Sequence, residues 1–175
     1  MSGSGGKYMI FKYCPDCGKA LDQKMIGDEG MIPYCHSCDK PYFDNPAICV
    51  VTTVINEKKQ ILLLKSNYIS TTKWTLVAGY VKNGETLEDA VIRETIEETG
   101  QNIEHLEYIR SYYFASGELI LCGFIAWVTQ RDFIHSNEVD DLFWCDINMV
   151  DYYINRENNL SGTHFDVCRD FIRNK

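Results

Sequence analysis

The sequence predicts an α/β sandwich with a mixed sheet, preceded by a small cysteine-rich module. Six apolar runs with strand-like composition follow residue 46, and two stretches with helical spacing lie between and after them. Two pairs of closely spaced cysteines precede all of these elements. A chain of 175 residues has room for one main domain together with a module of this size.

The cysteine-rich module covers residues 11–43 and contains two C-x2-C pairs separated by 17 residues. Each pair can close a tight turn around one side of a tetrahedral ion, and four thiolates at this spacing indicate a structural Zn²⁺ ribbon. A turn at residues 27–30 supplies the hairpin that such a ribbon needs. The alternatives are two unrelated thiol pairs, in disulfides or free, or a site in which His36 replaces a cysteine. The predicted zinc ligands are Cys14, Cys17, Cys35 and Cys38.

The main domain is expected to cover residues 44–175, beginning at the turn formed by Asp44, Asn45 and Pro46. A loop is expected at residues 67–73. Residues 1–10 are interpreted as a disordered start or a remnant of cloning and contribute nothing to the predicted fold. The predicted strands cover residues 47–55, 60–64, 74–77, 103–114, 119–129 and 142–145.

The first predicted helix covers residues 87–99. Thr86 is placed as its N-cap, and Asp89 stands three residues further on in a capping-box relation. Gly100 is a natural stop at the C-terminal end.

A second helix is expected near the end of the sequence. Thr163 or Ser161 is the predicted cap of this helix. The apolar residues that keep helical spacing beyond the cap are Phe165, Cys168 and Ile172.

The first predicted helix belongs to a strongly acidic stretch at residues 79–101, with six acids and two bases in a chain of net charge -8. At about 100° per residue, Glu94, Glu97 and Glu98 fall within one arc of the helix, together with apolar positions that should face the protein body. Like charges placed there are costly unless a cation neutralises them. Oxygen-only ligands suit Mg²⁺ or Mn²⁺. The alternative is a solvated acidic helix face.

The acidic stretch follows the pattern G-x5-E-x7-R-E-(aliphatic)-x-E-E-x-G-(aliphatic). The positions that match are Gly79, Glu85, Arg93, Glu94, Glu97, Glu98 and Gly100. This pattern resembles the box of the Nudix hydrolase superfamily. The sequence departs from it at the two aliphatic positions, which are Thr95 and Gln101. The Thr95 methyl group can still pack and Gln101 should start the next loop, so we expect neither to affect the charged residues.

A four-cysteine ribbon followed directly by this box resembles the NADH pyrophosphatase branch of the superfamily. Residues 42–51 (YFDNPAICVV) and 74–85 (WTLVAGYVKNGE) are also similar to that branch. The resemblance implies an α/β/α sandwich. The branch carries an S-Q-P-W-P-F-P array after the box, whereas this chain has SYYFASG at residues 111–117. Because of this departure, the resemblance does not decide whether NADH is the substrate. It still implies hydrolysis of a pyrophosphate bond.

The resemblance also implies how the site is divided among residues. Glu94, Glu97 and Glu98 would hold two or three divalent ions, with help from the main-chain carbonyl of Ala78. The general base would be Glu98 or Glu94, and Glu98 is preferred. Glu138 corresponds to a glutamate that completes the metal cluster in the branch. The alternative for Glu138 is an ordinary acid of a surface loop.

Three further roles concern orientation and substrate binding. Arg93 would orient the glutamates through a bidentate ion pair, or else be an ordinary i,i+4 partner of a neighbouring acid. Tyr80 and Phe114 would stack on a base or a nicotinamide ring, and the alternative is that both are core aromatics. Ser111, which the branch array retains, is the third candidate for substrate contact. The residues assigned to surface or packing are His105, His135, His164, Cys49, Cys122, Cys145 and Cys168.

Composition limits the partners. A pI near 5.0 argues against nucleic acid bound through a basic surface, and we expect no nucleic-acid partner other than a capped RNA end. No apolar run approaches the roughly 18 residues of a membrane span, and no signal-peptide pattern is present. Eight cysteines without such a signal favour a reducing compartment, so a cytoplasmic location is expected. The branch resemblance implies a homodimer.

The sequence therefore predicts an enzyme. The expected reaction is metal-dependent hydrolysis of the pyrophosphate bond in a nucleoside diphosphate linked to X, with release of a nucleoside monophosphate. The expected substrates are NADH- or NAD-like dinucleotides or ADP-ribose. Two alternatives stay open: a pyrophosphohydrolase of nucleoside triphosphates, and a non-catalytic module that senses a nucleotide.

Overall fold

The structure is a computed structural model that describes residues 11–43, 45–66, 73–114, 118–154, 156 and 160–173. The chain divides into two compact units, of which the first ends at Pro46 and the second begins at Ala47. The predicted disordered start at residues 1–10 and all but the last residue of the predicted loop at 67–73 lie outside the described residues.

The first unit contains a three-stranded antiparallel sheet. Its strands are β1 (Asp22–Met25), β2 (Met31–Cys35) and β3 (Lys40–Pro41). A 3-10 turn over Gly27–Glu29 joins β1 to β2, and Gly27 and Gly30 have φ angles of 52° and 83°. Side chains disfavour this backbone region, so glycine allows the hairpin to close here. The predicted turn with its flanking strands is confirmed.

The second unit is built on a six-stranded mixed sheet. Its strands are β4 (Ala47–Asn56), β5 (Gln60–Ser66), β6 (Val77–Tyr80), β7 (Ile103–Phe114), β8 (Leu119–Val128) and β9 (Val139–Asp146). The strand order is β7-β8-β4-β5-β9, and β6 also pairs with β4. The β4–β8 pair is parallel and the other pairs are antiparallel. The helices are α1 (Leu87–Thr99), α2 (Val150–Tyr153) and α3 (Leu160–Arg173).

Two helices cover opposite faces of β4. Val50 packs in one core cluster with Ala90 of α1, whereas Val51 packs in another with Phe165 of α3. Successive side chains of a strand point to opposite faces, so α1 and α3 lie on the two sides of the sheet. This arrangement is the α/β/α sandwich that the family resemblance implied.

The α1 helix has the predicted bounds because its ends are fixed by local hydrogen bonds. The Thr86 hydroxyl accepts from the backbone N–H of Asp89 at 3.1 Å, and the Asp89 carboxylate accepts from the backbone N–H of Thr86. Gly100 ends the helix in a left-handed conformation and donates its N–H to Ile96. Both predicted caps are confirmed, and such caps stabilise a helix by about 1 kcal/mol.

Two strands begin or end at residues other than those predicted. Pairing with β4 begins at Val77, whereas the prediction placed that strand at residues 74–77. Trp74 and Thr75 instead form isolated bridges to other segments, which an apolar run cannot indicate. The last strand is longer than residues 142–145 because Asp140 and Asp141, expected in a loop, are exposed positions of β9.

The end of the chain also differs from expectation. Ser161 and Thr163 lie inside α3, whose described residues begin at Leu160, so neither stands at the predicted cap position. Phe165 and Cys168 are fully buried, as their helical spacing predicted. The α2 helix was not predicted, because one turn of four residues is too short to show a period.

Among the described residues, the helices are all too short or too polar to cross a membrane.

Candidate active site

The acidic residues of α1 line a cleft of about 560 Å³ in the second unit. This volume is in the range of small-ligand sites. Strand β6, helix α1 and the residue just before β9 supply the predicted site residues on its wall. They are Ala78, Tyr80, Arg93, Glu94, Glu97, Glu98 and Glu138.

Gly79 is required by the approach of Glu94 to β6. A Cβ atom at Gly79 would lie 2.0 Å from Glu94 Oε1 and 2.1 Å from its Cδ. These separations are far below van der Waals contact, so any other residue at this position would displace the carboxylate. The first glycine of the box therefore sets the position of Glu94.

Arg93 fixes three carboxylates and one carbonyl. Its guanidinium donates to Glu85 at 2.6 and 3.0 Å, to Glu94 at 2.5 Å and to Glu97 at 3.3 Å. It also donates to the main-chain oxygen of Tyr80 at 3.0 Å. The guanidinium holds the pKa of Glu85 down to about 2. Arg93 thus makes both the i,i+4 contact and the orienting ion pairs that the sequence offered as alternatives.

Glu98 is the most deeply buried acid of the site. Burial raises its pKa from 4.5 to about 8, and the charge of Glu94 adds to the shift. Weaker repulsion comes from Glu138 and Glu97. Its Oε2 atom is buried and has no hydrogen-bond partner among the described residues. A buried oxygen without a partner is costly unless a cation or a proton satisfies it.

The set of donors in the cleft fits divalent cations. Four carboxylates converge on it, and Glu94 and Glu98 are partly buried while Glu97 is exposed. The prediction that all three helix carboxylates face inward is therefore wrong for Glu97, whose side chain is 50% exposed. Hard oxygen ligands are those that Mg²⁺ and Mn²⁺ prefer. Arg93 compensates only part of this negative charge.

The cleft also contains residues that the sequence did not point to. They are Cys49, Ser66, Lys82, Leu119 and Leu121. Cys49 stands directly opposite Tyr80 in the β4–β6 ladder and opposite Leu121 in the β4–β8 ladder. The alignment of Tyr80, Cys49 and Leu121 across three neighbouring strands can be seen only from the strand register. Lys82 could have been found, since it is the one base of the loop between β6 and α1.

Two of the predicted substrate residues stand apart from this wall. Ser111 and Phe114 lie on β7, opposite Cys122 and Leu119 of β8, and the described lining of the cleft includes neither. Residues 115–117 of the divergent segment lie outside the described residues. His164, assigned to surface or packing, is fully buried, and its Nε2 donates to the Phe124 carbonyl at 2.8 Å.

The first unit brings its four predicted cysteines together. Their Sγ atoms all lie within 4.8 Å of one another, with 3.8 Å between Cys14 and Cys38 and 3.6 Å between Cys17 and Cys35. Tetrahedral zinc with Zn–S bonds of about 2.3 Å requires sulfur separations of about 3.8 Å. The cluster therefore has the dimensions of a four-thiolate zinc site.

The acidity of these thiols also favours a cation. Burial opposes ionisation of Cys14, but hydrogen bonds from the Tyr42 hydroxyl and nearby backbone N–H groups lower its pKa to about 6. Contact with Cys17 and burial raise the pKa of Cys38 to about 12. Four adjacent thiols can therefore all ionise only if a cation neutralises them.

Comparison with known families agrees with this fold. The family profile of the NUDIX domain matches residues 45–164. The chain belongs to the NUDIX domain family. The matched region includes the whole acidic stretch and Glu138, whereas the four-cysteine cluster precedes it.

Curated proteins of related sequence share about 30% identity with this chain. The chain is 30% identical over 138 residues to the NAD-capped RNA hydrolase NudC of Pectobacterium atrosepticum, covering 78% of this chain and 52% of the relative. It is 31% identical over 127 residues to the protein of the same name from Escherichia coli O157:H7, covering 73% and 48%. The chain thus spans about half the length of the curated relatives it matches.

Solved structures show the same fold. A NUDIX hydrolase from Nitrosomonas europaea superposes with a TM-score of 0.71 at 24% identity, over 94% of this chain and 92% of that one. The NUDIX domain of Shewanella oneidensis NrtR, solved with ADP ribose, superposes with a TM-score of 0.65 at 16% identity, over 79% and 94%.

Gly79→Ala should displace Glu94 with little loss of stability, because the three atoms nearest to the new methyl group all belong to the Glu94 side chain and none to the backbone. We expect Mn²⁺ binding in the cleft, measured by electron paramagnetic resonance, to weaken about 10–100-fold. Gly84→Ala is the control: its Cβ meets nothing within 4 Å, but its φ of 89° strains the backbone. That variant should lose stability and keep Mn²⁺ affinity. Unchanged Mn²⁺ affinity in Gly79→Ala would contradict the steric argument.

Metal-free protein should lose stability as the pH rises from about 4.5 to about 8. In this window unfolded Glu98 is ionised while folded Glu98 keeps its proton, because its pKa is raised to about 8. Thermal unfolding in buffers without Mg²⁺ or Mn²⁺ measures the effect, and Glu98→Gln should flatten the decline. Saturating Mg²⁺ should restore wild-type stability at pH 8 and act less on Glu98→Gln. A parallel decline in both proteins would show that Glu98 is not the cause.

Proposed function

We propose that the chain is a metal-dependent pyrophosphohydrolase that cleaves a nucleoside diphosphate linked to X and releases a nucleoside monophosphate. NADH- or NAD-like dinucleotides and ADP-ribose are the proposed substrates. The names of the curated relatives, NAD-capped RNA hydrolases, and the ADP ribose in the solved NrtR domain support this choice. The match covers only about half of each relative's length, so their names alone do not decide the activity of this chain.

The observation that carries the proposal is the buried carboxylate oxygen of Glu98. It has no partner among the described residues and lies in a cleft that three more carboxylates line. A protein that evolved only to bind an anionic nucleotide would gain nothing from this negative surface. Divalent ions held by Glu94, Glu97, Glu98 and Glu138 would neutralise it, bind the substrate phosphates and lower the pKa of an attacking water.

The chain's own groups then have separate tasks. Glu98 is the proposed base, because it is the most deeply buried carboxylate of the cleft and its Oε2 has no hydrogen-bond partner among the described residues, so this oxygen is available to accept a proton. Arg93 holds Glu94 in place and keeps the loop after β6 attached to α1 through Glu85. The main-chain carbonyl of Ala78 is a further proposed ligand.

The substrate would lie along the floor of the cleft. Tyr80 is 61% exposed and can stack on a base or a nicotinamide ring. Lys82 is exposed on the rim and provides a positive charge for a phosphate. Ser111 and Phe114 stay proposed substrate contacts at the edge of the sheet.

Three further parts of the proposal concern the surroundings of the enzyme. Zn²⁺ is the proposed structural ion of the cysteine cluster, and Mg²⁺ or Mn²⁺ is proposed for the cleft. A capped RNA end is the one nucleic-acid substrate proposed, by analogy with the curated relatives. A homodimer and a cytoplasmic location stay predictions.

A product-resolved screen tests the reaction. The purified chain with Mg²⁺ or Mn²⁺ would be given NADH, NAD⁺, ADP-ribose, dinucleoside polyphosphates and nucleoside triphosphates. We expect AMP together with NMN or ribose 5-phosphate, and Glu98→Gln should lower turnover by about 10²–10⁴-fold, the range of general-base catalysis. Glu88→Gln, the same change at an exposed position of α1, is the control and should keep full activity.

Two other results would redirect the proposal. A nucleoside monophosphate with pyrophosphate as the main products would indicate a nucleoside triphosphate pyrophosphohydrolase. Binding of ADP-ribose or NAD⁺ without turnover of any compound would indicate a nucleotide sensor. That result would contradict the proposed enzymatic activity.

Zinc content can be measured directly. Metal analysis should find about one zinc ion per chain, as four thiolates at tetrahedral spacing require. Cys38→Ser should lose most of this zinc, whereas Cys145→Ala, a buried cysteine of the second unit, should retain it. A zinc-free wild-type protein with its first unit folded would contradict the four-thiolate site.

A further inference from the structure

Gln101 stands where the family pattern has an aliphatic residue, yet its side chain is completely buried. A primary amide has two N–H donors and a carbonyl acceptor, and each costs free energy if it is buried without a partner. The structure satisfies all three, which distinguishes this position from an ordinary exchange of one core residue for another.

The amide of Gln101 pairs with the backbone of Arg131. Its Oε1 accepts from the Arg131 N–H at 2.9 Å, and its Nε2 donates to the Arg131 carbonyl at 3.1 Å. The same Nε2 donates to the carbonyl of Thr99 at 3.3 Å, in the last turn of α1. The side chain thus bonds both backbone groups of one residue, as a neighbouring strand would. The reversed amide orientation would set donor against donor at the Arg131 N–H.

The segment that starts at Arg131 leads to Glu138 and returns twice to the end of α1. The backbone N–H of Ile134 donates to Thr99 at 3.4 Å, and that of Ser136 donates to the carbonyl of Glu97 at 3.0 Å. The backbone of Glu138 is then fixed by a bond from its N–H to the Ser136 hydroxyl at 3.3 Å. Hydrogen bonds therefore connect the loop to the helix turn that carries Glu97.

The loop has little freedom where it crosses the helix end. A Cβ atom at Gly100 would lie 2.8–2.9 Å from the backbone of Ile134, so the loop is in direct contact with the C-terminal end of the helix. Between Gln130 and Ser136 the described loop contains no regular element of its own. Contacts at the C-terminal end of α1 hold the loop in place together with the stacking of Phe133 on Trp144, and the Gln101 pair is the first of these helix-end contacts along the loop.

We infer that Gln101 is a positioning residue that holds the Arg131–Glu138 loop against α1, so that Glu138 joins Glu97 and Glu98 at one metal-binding cleft. This inference rests on the proposed function for its catalytic meaning, but the positioning itself can be tested without turnover. An aliphatic residue at position 101 would fill the space and leave the N–H and carbonyl of Arg131 without their partners.

Gln101→Leu is the decisive variant, because it restores the aliphatic residue of the family pattern. We expect Mn²⁺ binding in the cleft to weaken about tenfold, as loss of an outer-shell partner does. Hydrogen exchange at the amides of Arg131 and Ile134 should become faster, while exchange within the sheet is unchanged. Gln101→Glu keeps the shape and the acceptor but loses both donated bonds. It should change both readouts in the same direction, and it provides the test if Gln101→Leu folds poorly.

Thr95→Val is the matched control on the same helix. Thr95 is the other departure from the pattern, is fully buried, and its hydroxyl has no partner among the described residues. Thr95→Val also replaces a buried polar group with an apolar one, but at a position without a hydrogen bond to the loop. Mn²⁺ affinity and loop exchange should therefore stay at wild-type values.

A double-mutant cycle with Glu138→Gln separates positioning from stability. If Gln101 acts through Glu138, Gln101→Leu should have no further effect on Mn²⁺ affinity once Glu138 is changed. Independent, additive losses would overturn the inference, and so would wild-type Mn²⁺ affinity in both Gln101 variants. If the wild type binds Mn²⁺ but hydrolyses no substrate, the proposed function fails while the cycle still decides the role of Gln101.

Discussion

The ion pairs of Arg93 hold the candidate site together. One guanidinium bonds Glu85 in the loop before α1, Glu94 and Glu97 on the helix, and the main-chain oxygen of Tyr80 on β6. Because Arg93 is partly buried, these bonds are screened less than surface ion pairs are. They connect strand, loop and helix at the one place where all three contribute to the cleft.

This arrangement gathers negative charge and neutralises only part of it. Arg93 is shared among three carboxylates, while Glu98 lies deeper and has no cation beside it among the described residues. Its raised pKa and its unpaired oxygen have the same cause, burial of an acid next to other acids. Fold and ligand are therefore coupled: the second unit should gain stability from whatever cation it binds, as any ligand stabilises the state that binds it.

The sequence predicted features whose physical cause is local. The bounds of α1 follow from Thr86, Asp89 and Gly100, which lie within a few residues of the groups they cap. Features that depend on register were out of reach. Cys49 faces Tyr80 only because β4 and β6 pair in one particular alignment. The inward orientation predicted for Glu97 was wrong because an arc of about 100° is wide enough to extend from the core to solvent.

The two departures from the family pattern show why a substitution cannot be judged by residue type alone. Thr95 and Gln101 both place a polar group where an aliphatic side chain is expected, and both are fully buried. The Thr95 hydroxyl has no hydrogen-bond partner among the described residues, so its burial costs stability and it makes no hydrogen bond to a residue of the site. Gln101 satisfies every polar atom, with a partner 30 residues away in sequence. Because that partner begins the loop of Glu138, the same kind of exchange is a defect at one position and a structural connection at the other.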